Sequence, residues 1–243
     1  MPDARAQEST PDGFDSTNWS LIVSAQRNTD QGAALNLLCQ RYWRPIYVFA
    51  RREGLAAHDA EDATQEFFAH ILERAWLDRA DVARGSFRGF LRTLLRHFLA
   101  NRRRVAAAAK RGGGPVRLAE LAADRDELEQ VAATDLDPAL AYDRMWALSV
   151  RRLALERLGA EQSDAAHARR FAALRPFLVR APASEDYDRL AAELGQTRNQ
   201  LSVALHRLSR RYTELIRAEV RSTLANPADV DTELRQLVDV LRR

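Results

Sequence analysis

The chain of 243 residues has a single cysteine, Cys39, so it can form no internal disulfide, and no CxxC or second thiol is present to hold zinc. That usage fits a reducing compartment. Nowhere do about 18 apolar residues run without interruption, which excludes a bilayer-spanning helix on the usual length requirement. Runs of β-branched residues with a period of two are missing almost everywhere, which argues against a sheet. There is no HExxH, no Gly-rich phosphate loop and no convincing nucleophile–base pair, so no enzymatic activity and no cofactor are expected. What the chain does have is charge of both signs. Its net charge is only +3 although 29% of residues are charged, so the placement of the charges carries more information than their sum. The expected location is cytoplasmic.

Helical spacing dominates, and the expected fold is all-α: two small helical domains joined by an acidic linker. Residues 1–16, polar with Pro and Gly, are expected to form a disordered tail. A first domain over 17–105 would hold a helix from Gln31 to Arg52, kinked or divided by Pro45. A shorter helix would follow around residues 59–73. A third, starting near Ser86, carries Phe87, Phe90, Leu91, Leu94, Leu95, Phe98 and Leu99 as an amphipathic stripe. At 106–138 three glycines and a proline give way to a stretch where Asp and Glu outnumber Arg seven to two, which reads as a linker. Helical periodicity resumes over 139–222, and 223–243 is a short amphipathic extension.

Three charge patterns stand out. In "DAEDATQEFF", Asp59, Asp62, Glu66 and Glu73 share one face of a helix, while Ala60, Thr64, Phe67, Phe68 and Ile71 share the opposite one. The acidic stripe is either a solvated face or a dock for a basic protein; one helix face offers too few converging ligands for a metal, and none is expected. From Arg84 to Arg111 there are nine Lys or Arg and no carboxylate, with Arg84, Arg88, Arg92 and Arg96 recurring every four residues. Such a ridge suits phosphates, whose neutralisation releases counterions. Finally, "YDRLAAELGQTRNQLSVALHRLSRRY" has helix-turn-helix spacing. Gly195 falls at the turn, and Leu201, Leu205, Leu208 and Tyr212 form a buried stripe. Asn199, Ser202, His206 and Arg210 lie opposite, flanked by Arg198 and Arg207 and able to reach base edges in a major groove. The bland alternative is a helical hairpin with a solvated face.

Together these stretches resemble sigma factors of the sigma-70 superfamily, in particular the compact two-domain extracytoplasmic-function type. "AEDATQEFF" is similar to the region 2.2 signature, "GSFRGFLRTLLRHFLANRRR" to regions 2.3 and 2.4, and the helix-turn-helix from Tyr187 to region 4.2; the resemblance covers about Ser16 to Ser222. It implies a factor that binds RNA polymerase core and carries it to promoter DNA. Asp59, Asp62, Gln65 and Glu66 would dock on the β′ coiled coil of polymerase, with the β flap as a second contact. Arg84, Ser86, Arg88, Arg92, Arg96, His97, Asn101, Arg102, Arg103 and Arg104 would face the minus 10 element. A flipped base would sit near Arg84 to Phe87, Phe87 being either its stacking ring or core. Thr197, Arg198, Asn199, Gln200, Ser202, His206, Arg207 and Arg210 would read the minus 35 element, and the acidic linker would thread the RNA exit channel.

The chain departs from that pattern in two places. His97 stands where relatives carry an asparagine, and "LSVAL" occupies the middle of the recognition helix, where relatives carry cations. The family also implies regulation by an anti-sigma factor, by an extra C-terminal domain or by a Ser/Thr kinase. Thr64 is the nearest phosphoacceptor to the docking stripe, but its place at the centre of the apolar face argues for a structural role. Two other readings compete: an operator-binding helix-turn-helix regulator, and a hydrolase built on Asp59, Glu61, Glu66 and His70.

Overall fold

The computed structural model describes residues 31–73, 86–108 and 125–243. Among them are nine α-helices and one isolated bridge, Ser86 to Leu224. Helix α1, Gln31–Arg52, is the axis of the molecule. Residues 41–50 are buried without a break, so this segment is enclosed on all sides rather than amphipathic. Of the kink or division expected at Pro45, the division does not occur: the segment runs as one helix through it. The dense packing of Tyr42, Ile46 and Phe49, each at most 1% exposed, offsets the ladder hydrogen bond that proline cannot donate.

Around α1 lie α2 (Ala57–Glu73), α3 (Phe87–Ala108) and α4 (Arg125–Ala132). Helix α5, Pro138–Ala160, opens on a cap in which the Asp137 carboxylate accepts the Ala139 N–H, with Pro138 in the first turn. Helix α6, Ala165–Leu174, is capped by Asp164 and runs into a 3-10 turn at Arg175–Leu178. Then come α7 (Ser184–Leu194), α8 (Arg198–Arg221), a 3-10 turn at Pro227–Asp229 and α9 (Val230–Arg242).

Helices α5 and α8, 23 and 24 residues long, are the spars of the fold. At 1.5 Å per residue each reaches about 35 Å. Three apolar clusters are strung along them. The largest joins α1 to α4 with Ala141, Tyr142, Met145, Trp146 and Val150 of α5, and with Val220, Leu224 and Leu237. A small middle cluster holds Ala154, Leu158, Phe171, Tyr212 and Leu215. The third, Leu174, Phe177, Leu190, Leu201 and Leu205, closes the far end.

This layout is all-α, as expected, but its largest core crosses the expected partition. Helix α4, which falls in the expected linker, is docked through Leu128 and Val131. Its carboxylates meet the arginines of α1: Glu127 pairs with Arg44 at 3.4 Å, and Glu129 with Arg51 at 2.8 Å and the Tyr47 hydroxyl at 2.5 Å. The acidic character read as a linker thus serves to neutralise a basic helix. Residues 223–243 also enter the first core, through Leu224 and Leu237. The expected tail at 1–16 and residues 109–124 of the expected linker lie outside the described residues.

Candidate nucleic-acid interface

The far end of the spars is a helix-turn-helix. Helix α7 stops at Gly195, whose φ of 62° is a left-handed conformation that glycine adopts at least cost. Two residues later Thr197 starts the reciprocal cap of α8: the Gln200 N–H donates to Thr197 Oγ1 at 3.2 Å and the Thr197 N–H donates to Gln200 Oε1 at 2.8 Å. Leu201 and Leu205 are buried against Leu190, Leu174 and Phe177. That inward stripe fixes which residues of α8 face out. Asn199, Ser202, Val203, His206, Arg207 and Arg210 are all exposed.

Several of the residues expected to read DNA are occupied by the scaffold. Thr197 and Gln200 cap α8. Arg198 is tied to Asp188 at 2.6 Å and to Ser184 at 3.2 Å, both on α7. Arg210 pairs with Glu214 one turn on, at 3.2 Å. Asn199, Ser202, His206 and Arg207 remain as polar groups turned outward. Val203, 43% exposed, adds an apolar contact of the kind that meets a thymine methyl. Beside this face, Asn199, Gln200, Val203 and Arg207 line a cleft of about 330 Å³ together with Gln162, Arg170 and Phe171. Arg170 comes from α6, outside the helix-turn-helix motif, so the motif alone gave no signal for it.

The acidic turn that starts α7 is held by Asp186, which takes hydrogen bonds from Arg180, from the Ala183 N–H and from Arg189. The Arg180 contact is the main reason that its carboxyl is pulled down to about 2.

The second expected surface, the cationic row on α3, is only partly available. Arg84 lies outside the described residues. Ser86 accepts the Gly89 N–H at 3.2 Å and so caps α3. Phe87 is fully buried, edge-on to Tyr42 at 5.3 Å, and is core rather than a stacking ring. Arg88 is 6% exposed; it pairs with Asp143, donates to Glu233 at 2.6 and 3.0 Å, and lies over the Trp146 ring at 5.1 Å. Arg92 pairs with the same Asp143 at 2.5 Å. Neither matches the expected free phosphate ligand, because carboxylates of α5 and α9 hold both. Arg102 pairs with Glu66 at 3.0 Å, and Arg103 pairs with Glu53. Arg96, His97, Asn101 and Arg104 are exposed.

The acidic stripe on α2 is on the surface, as the helical spacing required. Asp59 and Glu66 are exposed, and Asp62 and Gln65 are half-buried. Glu66 shares its charge with Arg102, and Glu61 is paired with Arg125. Thr64 is fully buried, with its hydroxyl donating to the Ala60 carbonyl at 2.7 Å. The side chain of Glu73 lies outside the described residues. Among the described residues no three His, Cys, Asp or Glu converge as metal ligands, and no helix is long and apolar enough to cross a membrane. The comparisons add no relative: no protein-family model, no curated protein and no solved structure matches the chain.

Proposed function

We propose that the chain is a sigma-type transcription initiation factor of the extracytoplasmic-function kind, acting in the cytoplasm by binding rather than by catalysis. The observation that carries the DNA-binding part is the α7–α8 geometry. A glycine turn and a reciprocal cap hold α8 rigidly, and Asn199, Ser202, His206 and Arg207 project from its outer face. In this reading α8 enters the major groove at the minus 35 element, with Arg207 on phosphate and Asn199 on a base edge. The exposed face of α3 offers Arg96, His97, Asn101 and Arg104 to the minus 10 element. The α2 face with Asp59, Asp62, Gln65 and Glu66 meets a basic surface of polymerase, where charge complementarity sets orientation and rate.

The test is reconstitution with bacterial core polymerase on genomic DNA, with start sites mapped. Defined start sites that depend on the added chain, together with a stable complex with core, are expected; no core binding and no initiation would sink the reading. The commitment of Arg88, Arg92 and Arg102 to carboxylates favours a second reading, in which α8 alone binds DNA and the chain is an operator-binding regulator. Dimers in gel filtration and footprints that do not need polymerase would select it.

A further inference from the structure

Six arginines lie on α6 and the first four turns of α8: Arg169, Arg170, Arg198, Arg207, Arg210 and Arg211. Four of them are held inside the protein. Arg169 donates to the Glu193 carbonyl at 3.1 Å, Arg198 to Asp188 at 2.6 Å, Arg210 to Glu214 at 3.2 Å and Arg211 to Glu161 at 2.7 Å. Arg170 and Arg207 meet no carboxylate or carbonyl among the described residues, and both line the cleft of about 330 Å³ between α6 and α8. The rest of that lining is amide or apolar, without an Asp or Glu.

Two cations around one concavity repel each other, and Arg170, half-withdrawn from water, also carries a desolvation cost. An anion seated between them offsets both. The mount on either side is packed. Phe171, next in the chain to Arg170, lies so close to α5 that a Cβ on Gly159 would come within 3.0 Å of its ring, and Arg207 stands between Leu205 and Leu208, which pack inward. Around α8, at about 100° per residue, Asn199 and Val203 fall within about 30° of the direction opposite the buried stripe. Arg207 lies about 50° off on the cleft side, His206 as far off on the other side, and Ser202 farther still.

We propose that the cleft is the seat of one DNA backbone phosphate, gripped by Arg207 from α8 and by Arg170 from α6, an element outside the helix-turn-helix. Two guanidinium groups on one phosphate give charge-assisted hydrogen bonds of fixed direction. Arg170 is thereby a positioning residue: a phosphate held on that flank sets the roll of α8 in the major groove, so that Asn199 and Val203 meet base edges while Ser202 and His206 are turned away. The inference rests on the DNA-binding reading above, in its sigma-type or its operator-binding form, and adds the contact that orients the recognition helix.

For the experiment, a duplex is selected from a randomised pool by the full chain, alone and with bacterial core polymerase, and its affinity is measured across a salt series. Arg170→Gln should lower the slope of log Kd against log salt by about 0.9, the share of one phosphate contact, with an unchanged melt in circular dichroism; Arg170→Lys should keep the slope. Arg169→Gln makes the same charge change one residue away, at a side chain spent on α7, and should also keep it. Methylphosphonate introduced at one phosphate at a time should reveal a position where the neutral group weakens the unmodified chain about tenfold and leaves Arg170→Gln unaffected. An unchanged slope in Arg170→Gln, an equal loss in Arg169→Gln, or the same methylphosphonate profile for Arg170→Gln and the unmodified chain would each overturn the seat while leaving DNA binding standing. Inorganic phosphate that shifts the Arg170 Nε signal in NMR, with no change of slope in Arg170→Gln, would assign the cleft to a free anion instead. No duplex selected above background would remove the DNA-binding reading and the seat with it.

Discussion

Thr64 sits on the helix that carries the acidic stripe, yet its side chain is fully buried and its hydroxyl is bonded to the turn before it. Thr64→Val, nearly the same shape, should cost no more than about 1 kcal/mol, because the hydroxyl donates to a carbonyl already serving the helix. Thr64→Glu buries an unpaired charge and should cost about 3–5 kcal/mol in urea unfolding. A phosphate at this position meets the same penalty, so a kinase acting on the native chain should leave Thr64 unmodified; stoichiometric labelling without loss of structure would contradict this. Cys39 makes a parallel case. Burial pushes its thiol up to about 11, so little thiolate exists near neutrality. Iodoacetamide at about pH 8 should leave native Cys39 unmodified and label it fully in denaturant.

At the scale of elements, the α7–α8 unit separates scaffold from readout. Gly195→Ala, at φ 62°, and Thr197→Ala, which removes the cap, should each cost about 1 kcal/mol and leave the salt slope of DNA binding unchanged. Arg207→Ala should do the reverse, keeping stability and lowering the slope by about 0.9. Acid should loosen the start of α7. Asp186 has a folded pKa of about 2, depressed chiefly by Arg180. Its contribution is therefore complete above the unfolded value of about 3.9 and is lost as pH falls from there toward the folded one. Asp186→Asn should remove that part of the acid transition in circular dichroism. Much of this unit was legible in the sequence, because glycine at the turn, a Thr-to-Gln cap and a leucine stripe are local signals. The state of the α3 row was not. Steps of four residues advance about 40° around a helix, so Arg88 and Arg96 point about 80° apart although the sequence repeats them alike. The partners that neutralise Arg88, Asp143 and Glu233, lie 55 and 145 residues away, beyond the reach of any local pattern.

For the whole molecule, the decisive fact is that α1 has no core of its own. Its partners include α5, the end of α8 and the segment with Leu224 and Leu237. A fragment ending at residue 108 should consequently lack a cooperative unfolding transition by tryptophan fluorescence, whereas the full chain should show one; cooperative unfolding of the fragment would establish a separable first domain. The sequence pattern suggested two domains because Gly, Pro and acidic residues at 106–138 have the composition of a linker, and composition does not reveal that Glu127 and Glu129 are matched to Arg44, Arg51 and Tyr47. The pairing of Arg41 with Glu219, across 178 positions, also dictates an order of events during synthesis. At roughly 5–20 residues per second, translation makes Arg41 about 9–36 s before the glutamate that neutralises it, so a nascent chain holds Arg41 in water until the end of α8 emerges. Closure of this core is thereby tied to synthesis of Glu219, and a product cut short before it is left with the Arg41 guanidinium in a core that cannot close around it.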